Sequence, residues 1–228
     1  MSVRLDRVSV TVPGPDGPLT ILEETTLDLT ERRIALIGPN GSGKSTLARL
    51  VNGLVTATTG TVTVEGLDVA AQGREVRRRV GFVFTDPAAQ LVMPTAVEDV
   101  ALSLRRTHRG RTARQRAALE VLERHGLGDL ADRSVHALSG GQRQLLALAG
   151  VLATGPSVLV ADEPTTLLDL RNSRHVADLL FGLEQQLVLV THDLELAARC
   201  ERALVVDGGK IVHDGPGPES VARYRAMA

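Results

Sequence analysis

The chain has 228 residues, 43% of them hydrophobic and 23% charged, with a formal net charge of −1. That length buries a full core, as one large α/β domain or one with an inserted lobe, while the near-zero charge excludes a general nucleic-acid binder and 2% aromatics leave almost no platforms for stacking bases. The lone Cys200 excludes an internal disulfide and reads as a packing residue in a reducing compartment.

The amino terminus alternates polar and apolar residues without a basic stretch leading into an apolar one, so no secretory leader is expected. Val3 and Leu5, then Val8, Val10 and Val12, form two half-buried strand segments whose phase slips at Asp6-Arg7, which predicts a bulge. Residues 13–18 are a turn cluster of Pro, Gly and Asp, and 21–29 resume extended character. The apolar run Ile34-Ala35-Leu36-Ile37 leads into Gly38-Pro39-Asn40-Gly41-Ser42-Gly43-Lys44-Ser45-Thr46, and helical spacing follows at Leu47, Leu50, Val51 and Leu54. Strand, glycine-rich loop and helix in that order make this G-x-x-x-x-G-K-[ST] a phosphate-binding loop. Its glycines let successive N–H groups point inward, and the helix adds the positive end of its dipole. Lys44 and Lys210 are the only lysines among the 26 basic residues. A chain that otherwise uses arginine keeps a compact ammonium in the loop, where a planar guanidinium would fit poorly between phosphates.

Residues 60–66, with alternating Thr-Val-Thr-Val-Glu between glycines, and Val80-Gly81-Phe82-Val83-Phe84 read as further strands, so that an antiparallel sheet flanks the nucleotide core. From about residue 96 to 153 the pattern turns helical, as for an inserted lobe. Within it Arg105, Arg106, Arg109, Arg111, Arg114 and Arg116, with His108, form a basic cluster, read either as a solvated face or as a contact with anionic lipid or an acidic partner. Residues 112–125 are an amphipathic helix closed by Gly126. Ser139 and Gln142 have the form of a capping box, while Gly140-Gly141 point to close backbone approach by another group, a second phosphate being the simplest. Residues 145–161, interrupted by Gly150, Thr154 and Gly155-Pro156, are a buried helix, turn and strand, not a membrane span.

The strand Val158-Leu159-Val160-Ala161 ends in Asp162-Glu163, at the edge where open α/β sheets bind ligands. There Asp162 can hold Mg2+ by way of water, and Glu163 can orient and deprotonate an attacking water. Leu187-Val188-Leu189-Val190-Thr191 delivers His192 to the same edge, where it can hydrogen-bond a γ-phosphate. Leu204-Val205-Val206 and Lys210-Ile211-Val212 flank Asp207-Gly208-Gly209 as a closing hairpin.

In this order, and over essentially the whole chain, these motifs resemble the ATP-binding-cassette ATPases. Residues 38–46 resemble Walker A, 138–142 the family signature, 158–163 Walker B, Leu167-Leu168-Asp169 the D-loop and His192 the switch histidine; the Asn-Lys-x-Asp base-reading motif of a GTPase is absent. The resemblance implies an α/β P-loop NTPase core with an antiparallel β subdomain and an inserted α-helical subdomain. It divides the chain into residues 1–95 (antiparallel β and the Walker A part of the core), 96–153 (helical) and 154–228 (the rest of a RecA-like core). It also implies an ATPase with ATP as substrate and Mg2+ as cofactor. The unit would be a head-to-tail dimer, of identical chains or of paralogues, with each ATP between Walker A of one subunit and Ser139, Gly140, Gly141 and Gln142 of the other. By the same resemblance Lys44 and the loop amides hold the β- and γ-phosphates, Ser45 and Asp162 serve the metal, Glu163 is the base, His192 contacts the γ-phosphate and Asp169 couples the two sites.

Two positions depart from the family. Thr85 stands where glutamine is usual and is too short to reach Mg2+ directly; Val12 stands near the usual adenine-stacking aromatic and offers aliphatic contact alone. The segment Asp86-Pro87-Ala88-Ala89-Gln90-Leu91-Val92-Met93-Pro94-Thr95, with Glu98-Asp99-Val100, resembles the energy-coupling-factor ATPases of vitamin and metal-ion importers, in which a glutamine placed like Gln90 faces the coupling helices of a transmembrane subunit. The short chain and Thr85 resemble the ATPases of biotin uptake most, with cobalt or nickel uptake next. The expected partners are a transmembrane coupling subunit, a small-molecule-binding membrane subunit and a second ATPase, at the cytoplasmic face of the membrane. Two other readings stay open. One is a soluble member acting on ribosomes or DNA, though such chains often carry two cassettes or a long coiled coil, neither of which is seen here. The other is a regulatory ATP-binding module, suggested by Thr85 and opposed by Glu163 and His192.

Overall fold

The structure, a computed structural model, describes residues 2–15 and 17–227. Strands β1 (Val3–Gly14) and β2 (Gly17–Leu29) form an antiparallel ladder with Val3 opposite Leu29 and Val12 opposite Leu19. The register shifts between Leu5 and Val8, and Arg7 there takes φ of 49°. The predicted bulge is present, and the two segments on either side of it are one bent strand. The turn is shorter than its Pro and Gly content predicts. Pro13 lies directly opposite Pro18, so both missing N–H groups fall on one rung and the ladder runs on past them. Asp16 of that turn lies outside the described residues.

The chain continues through β3 (Arg33–Ile37), α1 (Lys44–Leu50), β4 (Thr59–Val64), β5 (Leu67–Asp68), α2 (Gly73–Arg79) and β6 (Val80–Val83). Three long helices follow, α3 (Ala96–Ser103), α4 (Arg111–Arg124) and α5 (Gly140–Leu152). Then come β7 (Val158–Asp162), α6 (Leu170–Gly182), β8 (Gln186–Val190), α7 (Leu194–Ala198), β9 (Arg202–Asp207), β10 (Lys210–Gly215) and α8 (Gly217–Met227). Packing divides the chain into two compact units. One runs up to Val80 and takes Ser157–Glu163 and everything from Leu183; the other is Gly81–Pro156 with Pro164–Gly182.

The first unit holds an antiparallel sheet in the order β2-β1-β4-β5 and a second sheet containing β10-β9-β3-β8-β7. In the latter β9, β3, β8 and β7 run parallel, and β10 returns antiparallel to β9 as the closing hairpin. Every residue of β3, β7 and β8 is buried, as the continuous apolar runs of a parallel sheet covered on both faces require. Because β8 lies between β3 and β7, the loops leaving all three emerge side by side at the carboxyl edge. Cys200 packs in this unit at 3% exposure, and burial pushes its thiol up to about 12. Native protein near pH 8 is therefore expected to leave Ellman's reagent unreacted and to release about one equivalent of thiol only on denaturation; stoichiometric reaction of the native chain would contradict this.

The second unit is helical apart from β6. Thr95 caps α3, accepting from Glu98 N at 3.4 Å and donating to Glu98 Oε2 at 2.9 Å, and α4 ends ahead of Gly126, whose φ is 69°. Helix α6 packs here against α5, so residues 164–182 belong with 81–156, whereas the sequence reading places them with the core from 154 onward. This contact joins residues far apart in sequence, and hydrophobic periodicity carries no sign of it.

Asp99, at 9% exposure on α3, accepts from Val92 N at 3.2 Å and ties the preceding loop to the helix. Burial raises its carboxyl above the ordinary value, against the lowering effect of the Val92 and Met93 N–H groups. With the folded value raised, the stability this group allows is complete below the ordinary carboxylate range and is lost as pH rises through the raised one. Asp99→Asn keeps an acceptor for Val92 without the buried charge. Its melting temperature is expected to equal or exceed the parent's at neutral pH, with the difference shrinking toward the acid limit; a lower melting temperature at neutral pH would show that the charge itself holds the loop.

Candidate active site

The phosphate loop, residues 38–46, leaves the carboxyl end of β3 and ends in α1, which begins at Lys44. Gly38 has φ of 143°, and a Cβ there would lie 1.9 Å from the carbonyl oxygen of Val206 in β9. The glycine is required by backbone approach as well as by loop curvature. The loop surrounds a cavity of about 330 Å3 that Ile21 and Glu163 also line. Two observations mark this cavity as a site for an anion. Ser42 Oγ is buried with no hydrogen-bond partner, and Lys44, 6% exposed, turns its ammonium back to donate to the carbonyls of Gly38 at 2.8 Å and Pro39 at 2.7 Å. Burial pulls Lys44 below its ordinary value, with the Glu163 and Asp162 carboxylates acting the other way. The charge is held at a cost to the free protein that an arriving phosphate would offset.

Ser45 Oγ donates to Asp162 Oδ1 at 2.8 Å, joining the start of α1 to the end of β7. The other carboxylate oxygen, Oδ2, accepts from Arg49 Nη2 at 3.1 Å. The sequence reading misses Arg49. The signal was available, since Arg49 lies one helical turn beyond Ser45 and presents its side chain on the same face. The adjacent hydroxyl and carboxylate oxygens are hard donors of the kind Mg2+ takes, and two protein ligands suit an ion that keeps water and phosphate oxygens for the rest of its octahedron. Among the described residues no group of three or more His, Cys, Asp or Glu could hold a metal alone, so the donor set fits an ion that enters with a phosphate.

Glu163 follows Asp162 with φ of 52°, in the left-handed region, just ahead of Pro164. Its N–H donates to Val190 O at 3.0 Å, and its Oε2 accepts from His192 Nδ1 at 2.7 Å. An ionised Glu163 requires the proton on Nδ1 of His192, which leaves Nε2 as the outward ring nitrogen. Lys44, Ser45, Asp162, Glu163 and His192 are all in the first unit, on the edge shared by β3, β8 and β7.

The second unit carries the remaining candidates. Ser139 caps α5 through a complete capping box: Gln142 N donates to Ser139 Oγ at 3.3 Å, and Ser139 N donates to Gln142 Oε1 at 2.9 Å. Among the described residues the N–H groups of Gly140 and Gly141 have no acceptor. At Gly141 the close approach expected from the paired glycines comes partly from within the chain, since a Cβ there would lie 2.4 Å from Asn172 Cγ. Asn172 in turn donates to Asp169 through Nδ2 at 2.7 Å and its backbone N at 2.9 Å, and these bonds lower the exposed Asp169 carboxyl. Gln90 caps the short turn Pro87–Ala89 and directs its side chain inward: Oε1 accepts from Phe84 N at 3.4 Å and Nε2 donates to Ala147 O at 3.5 Å. It is engaged with its own unit, and an outward contact would have to replace these long bonds. Thr85 follows Phe84, whose carbonyl accepts from the buried Gln144 at 3.5 Å. Val12 is 38% exposed and faces Leu19, 55% exposed, across the hairpin, which makes an exposed aliphatic pair.

The profile of the ABC transporter family matches residues 22–166. The chain belongs to this family of ATPases. The ABC ATPase is 45% identical to the biotin transport ATP-binding protein BioM of Rhizobium etli over 212 residues, which cover 93% of this chain and 94% of that one. Its structure is similar to a dimeric post-hydrolysis state of the ATP-binding cassette MJ0796 bound to ADP and Pi, with TM-score 0.82 and 30% identity over 94% of this chain and 98% of that one. It is also similar to cbiO1 from Clostridium perfringens, part of the ABC transporter complex cbiONQ, with TM-score 0.82 and 26% identity over 99% of this chain and 92% of that one. This cassette is an ATP-binding, ATP-hydrolysing subunit of a transporter with an α/β P-loop fold. Among the described residues no helix is long and apolar enough to cross a membrane.

Proposed function

We propose that this ABC ATPase powers an energy-coupling-factor importer and that the solute is biotin. The observation that carries the reading is the 45% identity to a biotin transport ATP-binding protein across nearly the full length of both chains. The similarity to cbiO1, part of an ABC transporter complex, supports a multi-subunit assembly. On this reading the chain sits peripherally at the cytoplasmic face of the membrane, beside a transmembrane coupling subunit, a small solute-binding membrane subunit and a second ATPase.

The residues take the following roles. Lys44 exchanges the carbonyls of Gly38 and Pro39 for β- and γ-phosphoryl oxygens, and the amides of residues 38–46, with Ser42 Oγ, complete the cradle. Ser45 and Asp162 would hold Mg2+, whose chemistry there would be to neutralise charge on the phosphates. Glu163 orients and deprotonates the attacking water, with its carboxylate aimed by His192 Nδ1, and His192 contacts the γ-phosphate. Ser139, Gly140, Gly141 and Gln142 meet the ATP held by the other subunit, the unpaired N–H groups of the two glycines being the donors. Asp169, fixed by Asn172, couples the two sites; Thr85 and Gln90 serve coupling to the membrane partner, Gln90 by exchanging its bonds to Phe84 and Ala147 for an outward contact.

The test is uptake of radiolabelled biotin by source cells lacking this gene. Loss of uptake, restored by the intact chain and not by Glu163→Gln, is the expected outcome. Normal biotin uptake with loss of cobalt or nickel accumulation would reassign the solute, and co-purification from detergent-solubilised membranes with soluble proteins alone would remove the importer reading.

A further inference from the structure

The arginine cluster of the helical unit has no part in ATP chemistry. Residues 100–119 contain six arginines and neither Asp nor Glu, in a chain whose net charge is −1. Arg105, Arg111 and Arg114, from two different elements, line one cavity of about 260 Å3 whose apolar wall includes Met93, Ala101 and Leu102. None of the three arginines has an ion-pair or hydrogen-bond partner for its guanidinium among the described residues. The one acidic lining residue, Glu98, has its Oε2 taken by the Thr95 hydroxyl.

Helix α4 starts at this cavity against the usual electrostatic preference. Its first turn carries basic residues and no acidic one, and its N-cap, Gly110, supplies no side-chain acceptor. Among the described residues the N–H groups of Arg111, Thr112 and Ala113 therefore have no protein acceptor. Three like charges are gathered at the positive end of a helix dipole, with Glu98 the one carboxylate lining the cavity. Beside Met93, Val92 is 67% exposed.

We infer that this face is a docking surface for an anionic phospholipid membrane, with a headgroup phosphate seated in the cavity between Arg105, Arg111 and Arg114. Guanidinium groups bind phosphate oxygens bidentately, and the apolar wall with exposed Val92 suits the boundary between headgroup and acyl chain better than it suits an acidic peptide, which would bring charge alone. The inference deepens the transporter reading by giving the ATPase a direct contact with the membrane beside which it works.

The experiment is cosedimentation of the full chain, without transporter partners, with vesicles of phosphatidylcholine alone or containing about 30% phosphatidylglycerol, at about 0.05 and 0.3 M salt. Binding that requires phosphatidylglycerol and weakens at the higher salt is expected. The triple variant Arg105→Gln/Arg111→Gln/Arg114→Gln is expected to lose about 100-fold of the partition coefficient at the lower salt, the effect of removing three basic groups from an anionic surface, with basal ATPase unchanged. The corresponding triple Arg→Lys variant should retain most of the binding. Equal binding to both vesicle types, or a triple variant that binds like the parent, would overturn the inference. So would binding of inorganic phosphate or polyglutamate without vesicle binding. If the Gln variant fails to fold, the phosphatidylglycerol and salt dependence of the parent decides. A negative vesicle result leaves the biotin-uptake test untouched, so the two readings fail separately.

Discussion

Glu163→Gln is expected to cut ATP turnover about 100-fold or more while leaving ATP affinity within about twofold of the parent, the pattern for loss of a general base. Gln is isosteric, and its Oε1 can still accept the 2.7 Å bond from His192 Nδ1. It brings no new demand on the backbone, and the cavity wall it contributes keeps its shape. What disappears is the capacity to take a proton from water. Phosphate release and equilibrium nucleotide binding, measured on the same preparation, separate the two effects. Near-parent turnover would remove the base assignment, whereas a parallel loss of affinity would make Glu163 a binding residue.

Gly38→Ala is expected to lose about 3 kcal/mol or more of stability together with ATP binding, because a strained backbone region and an overpacked contact fall on one residue. The added Cβ would meet Val206 O at 1.9 Å and Val206 C at 3.0 Å, both backbone atoms of β9, a central strand that cannot give way cheaply. Gly41→Ala is the control. Gly41 also has a positive φ, 77°, but no atom lies within 4 Å of the added Cβ, so only the left-handed penalty of about 1 kcal/mol applies. Urea denaturation of both variants distinguishes them; equal losses would mean that loop curvature alone, without the approach of β9, demands the glycine at 38.

The parts of the site legible in the sequence are those whose chemistry is local. The phosphate loop declares itself because glycines, one ammonium and one hydroxyl must follow each other in a fixed order between a strand and a helix. Asp162, Glu163 and His192 could be placed because each ends an unbroken apolar run, and such runs become the buried parallel strands β7 and β8. The illegible parts depend on contacts between distant residues. Asn172 is an ordinary helix residue until α6 is laid against α5, and then it fills the space left by Gly141 and holds Asp169. The inward direction of Gln90 is likewise set by Phe84 and Ala147, neither of which a motif would name. The motif asks for Gly38 through loop curvature alone, whereas β9, some 170 residues further on, sets the tighter limit.

The left-handed backbone of Glu163 gives this position an evolutionary direction. An L-residue other than Asn, Asp or Gly is held there at a cost of about 1–2 kcal/mol, which recurs in every folded molecule whether or not ATP is present. With Glu163 as the proposed base, selection for turnover would be what keeps glutamate at 163. A lineage in which this cassette no longer needed to hydrolyse ATP would drift toward Gly or Asn there and gain stability as it lost activity. On the proposed role, the residue at 163 in a descendant of this chain would then report whether it still works as an engine or persists only as a scaffold.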